Sequence, residues 1–473
     1  MPKHDSIPPP KGTRDLYPED LLRQRYITEA WRRVSIRQGF EEIAGPTFEM
    51  LDLYKKKSGE GIVSELFSFR RTGGDDDYAL RPEFTPTLAR MYAAKANALP
   101  SPCKWFTAGP YFRAEKPQRG RLREFLQWNC DVMGDESPQA DADVINPLFS
   151  VLDELGIAPV DIRVRLGDRK IVESALRAEG VTDSQIEAAL HLLDRAQKID
   201  SEALQTQSKA LGFEHHLLRS TLRSLDDGVT ACLHSNDDDF ELTIEGSEPV
   251  VKADIGRYRE LAIALRAAMN NQRTRLDITN IVRGLAYYTG TVFELIADGE
   301  RAVAGGGRYD NLIELFGGPP TPAVGFGMGD VVLGLLLEDK GLMPEGPALM
   351  DALSQKPASL RPEAFVIATE AGEPHVEPLL AQLRRGVESD AWKERSGKPW
   401  DTDRYEIAPM HARRSYKSTR NIGKLLAEAR KQHAKFAVII DSADTAKIEN
   451  LDTREAFEHV PLERVGATIA ARL

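Results

Sequence analysis

The chain has little cysteine, no long apolar run and no excess of positive charge. Its three cysteines, Cys103, Cys130 and Cys232, are widely spaced and odd in number in a chain of 473 residues, which speaks against a disulfide framework and against a zinc site. The apolar run VVLGLLL is far too short to cross a bilayer. The opening MPKHDSIPPPKG carries no apolar stretch of the secretory type, so a cytoplasmic location is expected. A formal net charge of -11 excludes little, because surface charges are screened beyond about 8–10 Å and binding depends on local patches. The acidic runs Asp75–Asp77 and Asp237–Asp239 stand apart from the basic segments. What remains is an ordinary soluble composition with room for two to four domains.

The most informative stretch is residues 104–132, KWFTAGPYFRAEKPQRGRLREFLQWNCDV, which reads as two strands joined by a basic loop. Side chains alternate faces along a strand. Arg113 and Glu115 therefore share one face, and Phe125, Gln127, Asn129 and Asp131 share one face of the return strand. Leu126, Trp128, Cys130 and Val132 form the opposite, buried flank. A face that mixes a guanidinium, carboxylates, amides and an aromatic ring suits a ligand with phosphates, a base and an amino acid. Arginines on and beside the strand (Arg113, Arg119, Arg121, Arg123) offer forked donors to phosphate oxygens, and Phe125 can stack on a base. The plain alternative is a ribbon with a charged outer face.

Elsewhere the pattern is coarser. Residues 20–38 have an apolar stripe at Leu22, Tyr26, Ile27, Ala30 and Val34, as in an amphipathic helix. Residues 66–93 read as strand, turn, strand, helix around Gly73–Gly74. Thr85 before Pro86 is also a common helix N-cap. Residues 170–275 look mainly helical, with a capping box at Thr182 and Gln185. The glycines Gly305–Gly307 permit close approach of backbone to a ligand, or mark a turn or bulge. Residues 343–362 read as a linker rich in proline and small residues. Beyond it, strands and helices alternate as in a small α/β domain.

The segments FRAE at 112–115 and RLREFLQ at 121–127 resemble motif 2 of the class II aminoacyl-tRNA synthetases. RGLAYYTGTVFE at 283–294 and AGGGRYDNL at 304–312 narrow the resemblance to the histidyl-tRNA synthetase family. The resemblance implies an α+β catalytic domain, an antiparallel sheet flanked by helices, over residues 1–342. It places a mainly helical insertion at about 170–275, a linker at 343–362 and an anticodon-binding-like α/β domain at 363–473. It further implies a homodimer through the motif-1-like segment 39–54 and no membrane association. The activity implied is ATP-dependent activation of histidine followed by its transfer to tRNA(His), with Mg2+ on the pyrophosphate side held largely by the nucleotide and no metal ligands of the protein's own.

Residue by residue, the resemblance makes Arg113 and Arg283 the catalytic arginines. Glu83, Thr85, Gln127, Asp131, Tyr287 and Tyr288 would hold histidine, and Arg113, Glu115, Arg121, Phe125 and Gly306 would hold ATP. Arg413, Arg414, Lys417, Arg420 and Lys424 form a basic patch that would meet tRNA, or is simply solvated. The glycine-rich segment 321–341 resembles motif 3 but departs from it, with Asp330, Val331 and Val332 where the family has an arginine stacked on adenine. Losing such a contact forfeits roughly 0.5–2 kcal/mol, about 2- to 30-fold in ATP affinity, which Arg121 or Arg308 would have to offset. That departure keeps a second function in play, a catalytically inactive regulatory subunit of ATP phosphoribosyltransferase.

Overall fold

The computed structural model describes residues 7–178, 180–195, 199–216, 256–257, 259–261, 263–265, 274–276, 288–297, 302–353, 362–399, 401, 403–417, 419 and 421–473. The strands of the N-terminal body are β1 (Glu41–Glu42), β2 (Phe48–Met50), β3 (Ser68–Arg70), β4 (Asp77–Leu80), β5 (Cys103–Phe112), β6 (Glu124–Met133), β7 (Ile162–Asp168), β8 (Thr274–Leu276), β9 (Thr291–Ala297), β10 (Ala302–Arg308) and β11 (Ala323–Gly329). Eight of them form one sheet in the order β1-β5-β6-β11-β10-β9-β7-β8. The pairings from β5 across to β7 are antiparallel, and the two edge strands add in parallel.

Two helices back this sheet. The first, Pro18–Arg37, starts with proline in its first turn and with Glu19 and Asp20 near its positive end. Its inner face buries Tyr26, Ile27, Ala30, Trp31 and Val34, close to the stripe read from the sequence. Trp31 stacks on Trp128 of β6 at a centroid distance of 5.9 Å. The second, Pro138–Glu154, is capped by Ser137, whose side chain accepts from the Ala140 amide, and is buried on nearly every side.

The register divides the sheet into two faces. Trp128, Cys130 and Val132 of β6 share the helix-covered face with Val324, Phe326 and Met328 of β11 and enter the main apolar core. Phe125, Gln127, Asn129 and Asp131 share the opposite face with Gly325, Gly327 and Gly329 of β11 and with Gly305 and Gly307 of β10. Glycine alternating with apolar residues on neighbouring strands thus builds a well-packed back and a bare front.

Helices Arg169–Ala178, Asp183–Arg195 and Ser201–Ala210 lie inside the stretch read as a helical insertion, with the Thr182 amide donating to Gln185 as expected of the capping box. Most of residues 217–273 fall outside the described residues. The stretch expected as a linker is corrected in part. Helix Gly346–Leu353 occupies its first half and buries Leu349 and Ala352 in the main core against the first helix, because its apolar residues outweigh its glycine and proline.

The C-terminal unit comprises β12 (Ala364–Ala368), β13 (Val387–Glu388), β14 (Tyr405–Ile407), β15 (Ala412–Arg414), β16 (Phe436–Ile440), β17 (Thr445–Asn450) and β18 (Ala456–Pro461). Its main sheet runs β15-β12-β16-β17-β18. Val366 and Val438 pack under helix Val376–Arg385, while Phe365, Ile367, Ala437 and Ile439 pack under helix Ile422–Lys431. The central strands are apolar on both faces for that reason.

Candidate active site

The bare front of the large sheet is the floor of a cleft of about 410 Å³. Glu83, Thr85, Arg113, Arg121, Phe125, Gln127 and Tyr288 all line it, so segments from four parts of the chain meet there. Asp131 lies at the floor, 2% exposed, with its partner Tyr309 on the cleft wall. Arg283 and Tyr287 lie outside the described residues.

At Gly307, Gly325 and Gly327 the floor is glycine because nothing larger fits. A Cβ at Gly325 would stand 1.8 Å from Asp131 Oδ1, and one at Gly327 would stand 2.8 Å from Gln127 Nε2. The missing side chains are therefore occupied by the polar side chains of β6, which lean across the sheet. Gly306 is a correction to the sequence reading. It faces the core, where a Cβ would meet Phe293 and Phe326 at 2.7 Å, and it is Gly305 that lines the cleft.

The loop between β5 and β6 folds back through paired backbone hydrogen bonds between Gln118 and Arg121, with Gly120 at φ +73° providing the turn. Arg113 lies 5.0 Å above the Phe125 ring, and its Nε donates to the Pro82 carbonyl at 3.3 Å. Burial lowers its pKa, opposed by Glu83 and Glu65. Arg121 forms an ion pair with Glu115, which ties two of the expected nucleotide contacts to each other. Glu83 is paired with Lys57 at 2.5 Å, a partner the sequence did not suggest. Thr85 is the first residue of helix Thr85–Ala93, whose N-cap is Phe84, and it lines the cleft.

Asp131 is the most perturbed carboxyl of the floor. Burial pushes its pKa up to about 7, and the hydrogen bond from the Tyr309 hydroxyl opposes that rise. Burial, with Glu83, Asp131 and Glu294 nearby, raises the Tyr288 hydroxyl, so it remains a donor at neutral pH. Gln127 donates to Asn129 at 2.9 Å, fixing its amide orientation. The site thus holds a cationic rim at Arg113 and Arg121 and a recessed, hydrogen-bonding interior at Gln127, Asn129, Asp131, Tyr288 and Tyr309. The sequence placed Asn129 on this face without giving it a role, and Tyr309 was not singled out. The alternation of β6 pointed to Asn129, and the signal that could have found Tyr309 is its place directly after Gly-Gly-Gly-Arg.

One further expectation is corrected, and Asp330 gains a role of its own. Arg308 cannot serve the cleft. It shares the core face with Val324 and gives its guanidinium to Asp141, at 2.7 and 2.9 Å, and to the Asp135 and Ser137 carbonyls. Asp330 is 3% exposed and accepts from Arg14 at 2.7 Å, from Gln24 at 2.9 Å and from the Leu126 amide at 2.9 Å. It therefore fastens the N-terminal segment and the start of the helix to β6, while Val331 and Val332 form an apolar part of the cleft wall.

The basic patch of the C-terminal unit is also smaller than expected. Arg414 is paired with Glu373 and Glu377, and Arg413 binds Gln432 and packs on Gly39, because both project from β15 into neighbouring elements. Lys417 and Lys424 are exposed, and Arg420 lies outside the described residues.

The family model described as histidyl-tRNA synthetase matches residues 12–329. The histidine–tRNA ligase of Opitutus terrae is 41% identical over 347 residues, which is 73% of this chain and 77% of that protein. The crystal structure of histidyl-tRNA synthetase from Nostoc sp. PCC 7120 aligns over 99% of this chain and 100% of its own, with a TM-score of 0.59 and 21% identity. A Bacillus halodurans C structure, described as an ATP phosphoribosyltransferase regulatory subunit/histidyl-tRNA synthetase, covers 93% of this chain and 100% of its own, with a TM-score of 0.58 and 19% identity. These two structures share the fold.

Proposed function

The chain belongs to the histidyl-tRNA synthetase family, and from that premise we propose how its cleft activates histidine with ATP and passes the histidyl group to tRNA(His). The observation that carries the reading is the convergence of Glu83, Arg113, Gln127 and Tyr288 on one cleft, with the buried Asp131 carboxylate over Gly325 of its floor. The carboxylate of histidine attacks the α-phosphate of ATP, pyrophosphate leaves, and the terminal ribose hydroxyl of tRNA then takes the histidyl group. Such transfers need positioned charge more than covalent help from the protein.

Arg113 is positioned to clamp the α-phosphate, with Arg283 as the expected second arginine. Phe125 offers a ring to adenine once Arg113 turns to phosphate, and Arg121, released from Glu115, reaches the outer phosphates and frees Glu115 for the base. Gln127, Glu83 and Thr85 surround the position for the α-amino group, which would compete with Lys57 for Glu83. Asp131 accepts an imidazole N–H, and Tyr288 closes the wall with Tyr287 as its expected companion. Hydrogen-bonding pockets of this kind reject mismatched analogues by about 10⁴- to 10⁵-fold. Among the described residues the carboxylates on the cleft wall, Glu83 and Glu294, are few, so Mg2+ would be held mainly by phosphate oxygens and water. Its chemistry there would be charge neutralisation on the leaving pyrophosphate.

A homodimer is supported by the exposed aromatic group on β2, β3 and β4. Phe48, Phe69 and Tyr78 lie within 5.6–5.9 Å of one another, and Phe48 and Phe69 are 51% and 44% exposed. The regulatory-subunit reading gains nothing from this arrangement, and the curated relatives of high identity are ligases. Histidine-dependent ATP–pyrophosphate exchange, followed by charging of tRNA(His), tests the function directly. Exchange that Arg113→Ala reduces by about 10²-fold or more with the fold intact is expected. Absence of exchange in the wild type at any ATP concentration would overturn it.

A further inference from the structure

The helix Pro138–Glu154 touches both ends of the molecule's work. On its inner side Asp141 accepts from Arg308 of β10 at 2.9 Å and from Thr291 of β9 at 3.1 Å, the strands that carry the cleft floor and its rim. On its outer side it holds the C-terminal unit at two points. At the first, Lys104 of β5 lies 2.9 Å from Asp143 and donates to the Tyr416 hydroxyl at 2.9 Å, while that hydroxyl donates to Asp143. Lys104 also sits 4.8 Å from the Phe40 ring and 5.5 Å from the Tyr416 ring. At the second, Arg404 donates to the Asp153 carbonyl at 2.7 Å and the Glu154 carbonyl at 2.9 Å, satisfying carbonyls at the helix C-terminus. Its Nε is held by Glu388 at 2.9 Å.

Between the two ties lies a cavity of about 630 Å³, larger than the active-site cleft and lined by Asn146, Ser150, Arg384 and Trp392 among others. Asn146 Oδ1 is buried there without a hydrogen-bond partner. Among the described residues the apolar clusters of the N-terminal body and the C-terminal unit do not merge. An interface that is hollow and polar resists rotation little, so the orientation of the C-terminal unit depends on directed contacts around the hollow: these two ties, and Arg413, which packs on Gly39 and lies 3.8 Å from Glu41. Lys417, an exposed cation of that unit, follows directly on Tyr416, and Lys424, also exposed, lies in the helix that comes next.

We propose that Tyr416 and Arg404 are positioning residues that fix the C-terminal unit against the helix Pro138–Glu154, so that a tRNA seated on the unit presents its acceptor end to the cleft. This rests on the functional reading above. Neither residue touches the cleft, so both act on the tRNA-dependent transfer and leave the activation step alone.

The test uses the full chain with Tyr416→Phe, Arg404→Ala and the double variant. Histidine-dependent exchange should stay within about twofold of the wild type, while kcat/KM for tRNA in charging falls by about tenfold or more, as expected for a displaced substrate. Arg404→Lys should recover part of the loss. Small-angle scattering of the double variant should show an enlarged radius of gyration. Unchanged charging in the double variant, or exchange and charging falling together with the melting temperature, would overturn the proposal. A wild type inactive in exchange would defeat the functional reading instead, and scattering would still decide whether the ties hold the unit.

Discussion

Replacing Tyr309 by phenylalanine probes the chemistry of the cleft floor with one oxygen atom. In the wild type the Tyr309 hydroxyl donates to Asp131, whose pKa burial has already pushed up to about 7. A hydrogen bond to a charged group contributes about 1.5–3 kcal/mol, equivalent to roughly 1–2 pKa units. Without it the carboxyl should titrate near pH 8–9, a figure that follows from adding those roughly 1–2 units to the wild-type value of about 7. At pH 7.5 the ionised fraction would drop from about three quarters to between roughly a quarter and a thirtieth. If the carboxylate is the form that accepts the imidazole N–H, KM for histidine in the exchange assay should rise roughly 3- to 25-fold at that pH. The two enzymes should converge above pH 9.5. Free histidine loses its own imidazole proton near pH 6.5 in both cases, so that limb is common and cancels in the comparison. Superimposable KM profiles for wild type and Tyr309→Phe would refute the reasoning.

Gly325→Ala should abolish exchange by about 10²-fold or more through displacement of Asp131, with little change in circular dichroism; retained exchange would show that the carboxylate has room the geometry denies it. Asp330→Ala should lower stability in urea by about 1–3 kcal/mol or more, since the Leu126 amide loses a buried acceptor, and an unchanged unfolding midpoint would remove its fastening role. Tyr111→Phe deletes a hydroxyl that is buried without a hydrogen-bond partner and should stabilise the chain by up to about 1–3 kcal/mol; a loss of histidine affinity instead would assign that hydroxyl to the substrate. Because the folded-state pKa of Asp131 lies above its unfolded value of about 3.9, the folded protein binds the extra proton. Stability should therefore be greatest below pH 4 as far as this group is concerned, and should fall as pH rises towards 7. In Asp131→Asn that component of the pH dependence should vanish.

Much of the cleft was legible because strand periodicity is rigid. Alternation along β6 placed Gln127, Asn129 and Asp131 together and sent Trp128, Cys130 and Val132 to the core, as the register shows. The same rule separates Gly305 and Gly307 from Gly306, but a run of three glycines has no polar alternation to reveal its phase, and the phase came only from pairing with β11. Charged side chains were less legible. Arg308, Arg413 and Arg414 read as available cations, yet each is consumed by a carboxylate or amide distant in sequence. Asp330 looked like the loss of a contact and proved to be a threefold acceptor joining Arg14, Gln24 and β6. No local pattern announces a partner more than 300 residues away, as Arg14 is from Asp330. The helix Gly346–Leu353 was hidden by its flanking glycine and proline, although Leu349 and Ala352 are spaced for a helix face.

The glycine front of β10 and β11 has a consequence for how this enzyme can change. A surface of naked peptide units has no rotamers with which to adapt, and at Gly307, Gly325 and Gly327 an added Cβ would meet its neighbours at 2.8 Å or less. Drift in substrate preference is therefore barred from below and confined to the surrounding rim, where Val331, Val332 and the segment 113–123 can vary in size and charge while the seat beneath them stays the same.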